Sequence, residues 1–126
     1  MRFTYRDVPY SRVVTVPDQA AALGELKTGV LVIVMPNTRP KSLKLLCPCG
    51  CGEIISVNLM PETGKAWRIA LEPGRGLSLW PSVWLSSGCR SHFILRRNRA
   101  RLLFGEMPKM SPAELEKWWN QADRSG

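Results

Sequence analysis

The apolar positions of this chain follow the period of β-strands over most of its length. Residues Val30–Met35 form a β-branched run between a glycine and a proline, which is typical of a buried strand. Two more apolar segments, 43–46 and 54–59, lie on either side of a cysteine-rich turn and are predicted to pair with each other. Residues 66–71 alternate between apolar and polar, so one face of a further strand carries the apolar side chains.

A basic hairpin is predicted near the end of this β-rich region. Phe93–Arg96 and Ala100–Phe104 are apolar segments joined by a short turn, in which Asn98 tolerates the positive φ that such turns require. Arginines in and before the hairpin are candidate contacts to nucleic acid or another anion. They are Arg90, Arg96, Arg97, Arg99 and Arg101.

Two helices are predicted outside the sheet region. Asp18 is a suitable cap for a short helix that would end before Gly29. Ser111 and Glu114 form a capping box with proline at the first helical position, which predicts a C-terminal helix over Pro112–Ala122. Its apolar stripe either packs on the sheet, which we favour, or forms a partner surface. The stripe contains Leu115, Trp118 and Trp119.

These elements predict a mostly β fold, a small antiparallel sandwich or barrel-like domain with a C-terminal amphipathic helix. Residues 1–27 would be an N-terminal arm, or an irregular edge strand, with a possible short helix. Residues 28–106 would be the β-rich core and residues 107–126 the C-terminal helix. At 126 residues the whole chain is expected to form one compact domain.

Every cysteine and the single histidine of the chain fall into two short clusters. They are Cys47, Cys49 and Cys51 in the first cluster, and Cys89 and His92 in the second. Two compact chelating loops of thiol and imidazole ligands are what a tetrahedral zinc site requires, so we expect bound Zn²⁺. A structural site usually takes four ligands, and the sequence leaves open which four of these five bind. Disulfides fit the Cys-x-Cys spacing poorly.

The net charge of +8 belongs to the central segment. Residues 39–101 carry eleven Lys/Arg against three Asp/Glu, and the flanks balance. A local basic face favours an anionic partner more than uniform basicity would. The longest apolar run is too short to span a bilayer, and no apolar signal-like run follows Met1. We therefore expect a cytoplasmic protein with no membrane contact.

Three motifs in order resemble a known family. They are Cys47–Gly52, the segment Ser78–Trp84 after Trp67, and Cys89–Phe93 followed by a hairpin. In these residues the chain is similar, over about residues 28–105, to small bacterial and phage-borne proteins classed as a domain of unknown function. Members are often encoded beside genes for bacterial ubiquitin-like conjugation. The resemblance implies that the four cysteines and His92 are the metal-binding set, and that components of a ubiquitin-like pathway are partners.

The leading hypothesis is thus a non-catalytic zinc-binding interaction protein, an accessory of a bacterial ubiquitin-like modification or antiviral defence system. The alternative is a nucleic-acid-binding zinc protein that uses the basic hairpin. A zinc hydrolase is the third reading. It would need a general base, and Glu53 is the carboxylate within a few residues of either cluster.

Overall fold

The computed structural model describes residues 3–105 and 109–125. In chain order the elements are β1 (Phe3–Pro9), β2 (Arg12–Val16), α1 (Gln19–Glu25), β3 (Val30–Val34), β4 (Ser42–Leu46), β5 (Ile54–Asn58), β6 (Arg68–Glu72), β7 (Gly76–Trp84), β8 (His92–Arg96), β9 (Arg99–Gly105) and α2 (Pro112–Ser125). A single 3-10 turn at Pro61–Thr63 follows β5.

Two sheets form a β-sandwich, which confirms the predicted fold class. One sheet has the strand order β1-β9-β8-β7-β6 and the other β2-β3-β4-β5. Strands β2 and β3 pair in parallel, and the other pairs described are antiparallel. The main core lies between the sheets, where side chains such as Leu31 and Leu43 from one sheet meet Leu79 and Phe93 from the other. Alternation within each strand produces this inward-facing apolar surface.

Residues 3–9 and 12–16 form strands of the two sheets. Strand β1 pairs with β9 along its whole length, and β2 pairs with β3, so each is an edge strand. The cap predicted at Asp18 is confirmed, because its side chain accepts a hydrogen bond from the backbone N–H of Ala21 at 2.8 Å. Helix α1 ends at Glu25, one turn before Gly29.

The hairpin and the C-terminal helix also form as predicted. Asn98 adopts φ 63° in the β8–β9 turn. The backbone N–H of Glu114 donates to Ser111, and that of Ser111 donates to Glu114, which completes the capping box. Helix α2 runs three residues past the predicted end at Ala122. The predicted boundary at residues 106–107 lies outside the described residues.

Helix α2 packs its apolar stripe on the outer face of the five-stranded sheet. Trp119 is 2% exposed and joins Ile94 and Leu103 in a cluster of their own. The ring of Trp118 contacts Phe3, with 5.3 Å between ring centroids. Packing was the favoured reading of the stripe, and it is confirmed. The partner-surface role of these side chains stays a prediction, with little of Trp119 left to contact a partner.

Candidate functional site: a four-thiol cluster and a serine–histidine pair

Two hairpin loops bring the four cysteines together at one end of the sandwich. The β4–β5 loop carries Cys47, Cys49 and Cys51, and the β7–β8 loop carries Cys89. Because β4 and β5 belong to one sheet and β7 and β8 to the other, the cluster joins the tips of both sheets. The loop conformation depends on glycine, since Gly50 and Gly52 adopt φ 90° and 87°.

The four sulfur atoms all lie within 4.8 Å of one another. The Sγ of Cys47 is 3.4 Å from that of Cys49 and 3.6 Å from that of Cys89. These distances are far too long for a disulfide, and all four cysteines are free. A tetrahedral zinc with Zn–S bonds of about 2.3 Å would hold its sulfurs about 3.8 Å apart. The separations therefore suit a four-thiolate zinc site.

The thiols of the first loop differ in pKa. Burial raises the pKa of Cys47 to about 12. Burial also acts to raise the pKa of Cys49, but hydrogen bonds involving Ser91 and Cys47 outweigh it and lower that pKa to about 6. The thiolate of Cys49 is therefore available near neutral pH, and a cation at the centre of the cluster would stabilise the ionised form of Cys47.

The donor set limits the kinds of metal that would fit. Four soft sulfur donors at tetrahedral separations suit Zn²⁺, which in such a closed shell holds loops together and has no open position for a substrate. Glu53 is exposed, and its carboxylate lies 3.9 Å from the Sγ of Cys89. The zinc-hydrolase reading with Glu53 as base stays a prediction, and a shell filled by four thiolates would leave no ligand position for its water.

His92 lies next to this cluster but makes a different contact. Its Nε2 is 3.0 Å from the hydroxyl Oγ of Ser82. His92 is the first residue of β8, and Ser82 lies on the neighbouring β7. The metal role predicted for His92 is not tested by this geometry. In the described residues, the group of possible ligand atoms that converge consists of the four thiols.

An irregularity in β7 brings Ser82 to the histidine. The pairing of β7 with β8 shifts register between Leu79 and Val83. The carbonyl oxygen of Ser82 accepts a hydrogen bond from Nε1 of Trp67 at 3.2 Å, which fixes the backbone that carries the hydroxyl. The serine is thus held from one side by Trp67 and faces His92 on the other.

The imidazole is held by a flat aromatic contact. The rings of Trp84 and His92 are stacked, with centroids 4.6 Å apart and planes 4° from parallel, although Trp84 is 71% exposed. Burial lowers the pKa of His92, which favours the neutral imidazole that can accept a proton. In the described part of the chain, no carboxylate forms an ion pair or hydrogen bond with His92. Serine and histidine therefore form a hydrogen-bonded pair with no third, carboxylate member among the described residues.

The arginines predicted to bind an anion occupy two kinds of position. Arg96 and Arg101 are 4% and 1% exposed; Arg96 pairs with Glu116 at 2.6 Å, and Arg101 with Asp7 at 2.8 Å. They are structural ion pairs beneath α2, and they could reach a phosphate only by breaking those pairs.

Arg99 also contacts Asp7, at 3.5 Å, whereas Arg90 and Arg97 are exposed. Nucleic-acid binding stays a prediction, with Arg90 and Arg97 as the exposed members of the predicted set. No described helix is long and apolar enough to cross a membrane.

Ser82 is the residue that the sequence analysis missed. Serine is common on surfaces, and nothing in the segment Trp80–Trp84 marks one hydroxyl as reactive. The available signal was the single histidine of the chain, because an imidazole that does not bind a metal is also a candidate general base. Its partner depends on strand pairing, which the sequence pattern predicts only coarsely.

The fold and site define a class: a small two-sheet β protein with a four-thiol cluster beside a serine–histidine pair. The chain matches the profile of the BubE family, described as "Bacterial ubiquitination-like system serine protease", over residues 17–103. This match covers 87 of the 126 residues, so the chain belongs to the BubE family. No curated protein and no solved structure matches it. Membership confirms the predicted association with a ubiquitin-like system.

Proposed function

We propose that this protein is a serine hydrolase that cleaves peptide or isopeptide bonds in polypeptides of a bacterial ubiquitination-like system. Ser82 is the nucleophile and His92 the general base. The 3.0 Å contact between Ser82 Oγ and His92 Nε2 carries the proposal, because it is the nucleophile–base geometry that acyl transfer requires. The description of the family as a serine protease supports the same reaction.

The residues can perform the reaction in two steps. The Oγ of Ser82 attacks the carbonyl carbon while its proton passes to Nε2 of His92. The C–N bond then breaks, the leaving amine takes that proton from His92, and an acyl ester remains on Ser82. Water, deprotonated by the same histidine, hydrolyses the ester and regenerates the hydroxyl. The lowered pKa of His92 keeps the imidazole neutral at the start of each step.

The four-thiol cluster has a structural part in this proposal. Cys89 lies three residues before His92, and Ser91 contacts the thiols of Cys47 and Cys89 at 3.6 and 3.1 Å. Zn²⁺ bound by the four thiolates would anchor the β7–β8 loop to the other sheet and so hold the start of β8 in place. Bond cleavage is thereby assigned to the dyad and loop anchoring to the thiols.

A fluorophosphonate probe tests the nucleophile directly, because it reacts with an activated serine hydroxyl and needs no known substrate. We expect the wild-type protein to be labelled at Ser82, as located by peptide mass spectrometry. Ser82→Ala should not be labelled, whereas Ser86→Ala, which removes an exposed hydroxyl from the adjacent loop, should be labelled like the wild type. Lack of wild-type labelling, or labelling that survives in Ser82→Ala, would overturn the proposal. Such a result would favour the non-catalytic zinc-binding interaction role.

A further inference from the structure

A large groove opens beside Ser82 at the β6 edge of the five-stranded sheet. Its volume is about 700 Å³, and it lies between the Pro61 turn, strands β6 and β7, and the first turn of α2. Its apolar walls include Leu59, Trp67, Trp80, Met110 and Leu115. Ser82 is part of its lining, so the groove borders the residue that carries the candidate nucleophile.

The groove exists because α2 covers only part of the sheet. The helix packs through Trp119 against Ile94 of β8 and Leu103 of β9. Strand β6 is the edge of the sheet, and on its outer side no described strand pairs with it. Apolar walls beside an unpaired strand edge suit an extended polypeptide, because main-chain groups can pair with the edge while a side chain enters the groove.

The arginines that line the groove differ in whether a carboxylate pairs with them. Three arginines line it, and two are neutralised: Arg39 by Glu62 and Arg96 by Glu116, each at 2.6 Å. Arg68 is exposed, and its guanidinium lies over the ring of Trp80 at 5.6 Å. No described carboxylate forms an ion pair with Arg68. Arg68 is therefore the lining arginine that has no carboxylate partner among the described residues. Two more cations lie against the aromatic walls: Nζ of Lys65 lies over the ring of Trp67 at 5.1 Å, and the paired guanidinium of Arg96 lies over Trp80 at 4.7 Å.

The position of His92 predicts on which side of Ser82 each part of a substrate lies. The leaving amine must take its proton from His92, and His92 does not line the groove. The leaving group thus lies on the His92 side of Ser82, and the acyl part of the substrate lies on the groove side. We propose that the groove binds the acyl-side segment of an extended polypeptide, with a large apolar side chain between Trp67 and Trp80 and a nearby carboxylate on Arg68. The orientation rests on the proposed function.

Peptide binding to the Ser82→Ala protein tests the groove without turnover. The probes are fluorescein-labelled decapeptides with one Leu or Phe and with Glu, Gln or Lys at each neighbouring position, and binding is measured by anisotropy. We expect the best Glu peptide to bind about tenfold more tightly than its Lys counterpart. Replacement of the Leu or Phe by Ala should also weaken binding about tenfold.

Reversing the charge at position 68 tests whether Arg68 causes the preference for Glu peptides. Adding Arg68→Glu to the Ser82→Ala protein should invert the order, so that Lys peptides bind more tightly. The matched control adds Arg6→Glu, which makes the same charge change at an exposed position on β1, the opposite edge of the same sheet. That control should keep the preference for Glu. Equal affinity for Glu and Lys peptides, or a preference unchanged by Arg68→Glu, would overturn the groove assignment.

The fluorophosphonate result separates the two proposals. Labelling of Ser82 without any peptide preference would overturn the groove assignment alone. Peptide preference controlled by Arg68 without labelling would support the groove as a peptide site and overturn the hydrolase proposal alone.

Discussion

The thiol cluster and the Ser82–His92 pair are neighbours that differ in how the fold builds them. Cys89 and His92 are three residues apart in the sequence. Cys89 meets the other thiols because two hairpin loops come together, whereas His92 contacts Ser82 on the neighbouring strand β7. The four thiols form a closed set of identical donors within 4.8 Å, whereas the pair lies beside a groove of about 700 Å³. A closed donor set suits a structural role, and an open polar pair suits chemistry.

This difference predicts that stability and activity can be separated by mutation. Substitution of a thiol should act on the free energy of unfolding, and substitution of the dyad should act on turnover.

Ser82→Ala should have the largest effect, with turnover lowered by about 10,000-fold, because the nucleophile is lost. The melting temperature and bound zinc should match those of the wild type, since the hydroxyl is half-buried and belongs to no described metal-ligand group. The measurements are single-turnover cleavage, thermal melting by circular dichroism, and elemental mass spectrometry. Ser86→Ala serves as the control, and loss of zinc in Ser82→Ala would break the proposed separation.

His92→Gln decides between the two roles of the histidine. As a general base it contributes about 1,000-fold, so turnover should fall by that factor while about one zinc remains bound to the four thiols. The variant keeps a polar side chain beside Ser82 and removes the proton acceptor. Loss of metal from His92→Gln would instead establish His92 as a ligand and move it from the dyad to the cluster.

Cys89→Ser should act mainly on stability. Removal of one of four thiolates opens the shell and frees the β7–β8 loop, which we expect to lower the melting temperature by on the order of 10 °C. Bound metal should fall well below one equivalent, as measured by elemental mass spectrometry. Ser87→Ala, in the same exposed loop, should leave both quantities unchanged. A Cys89→Ser protein with full metal content and stability would show that the cluster does not anchor this loop.

The sequence predicted most of the fold because its signals were local. The β-branched run at Val30–Val34, the turn at Asn98 and the capping box at Ser111 each specify a few consecutive residues, and each formed. The placement of residues 3–16 was harder. An edge strand is stabilised by its partner, and the partner of β1 lies about 95 residues away in the sequence.

The candidate site likewise has a part that the sequence could predict and a part that it could not. Four thiols in two glycine-containing loops could be predicted to converge, because such closely spaced thiols suit a shared metal and fit disulfide geometry poorly. Ser82 could not, since its approach to His92 depends on the register shift between Leu79 and Val83. The ion pairs of Arg96 and Arg101 were equally hidden, because Glu116 and Asp7 come from distant elements. The sequence therefore could not separate these two paired arginines from Arg90 and Arg97, which are exposed and for which anion binding stays a prediction.

Replacement of Trp84 should have the smallest effect on turnover, and it tests how the imidazole of His92 is held. The indole of Trp84 stacks flat on the imidazole, a contact that contributes about 1 kcal/mol to the alignment of the ring. Trp84→Ala should therefore lower turnover about fivefold, and Trp84→Phe by less. Burial holds the pKa of His92 below its ordinary 6.5, so activity should persist above that lowered pKa and be lost as pH falls through it. Trp84→Ala exposes the ring, raises this pKa toward 6.5, and should move the acid limb of kcat/KM to higher pH. An acid limb that stays in place while turnover falls would mean that Trp84 contacts the substrate and does not hold the base.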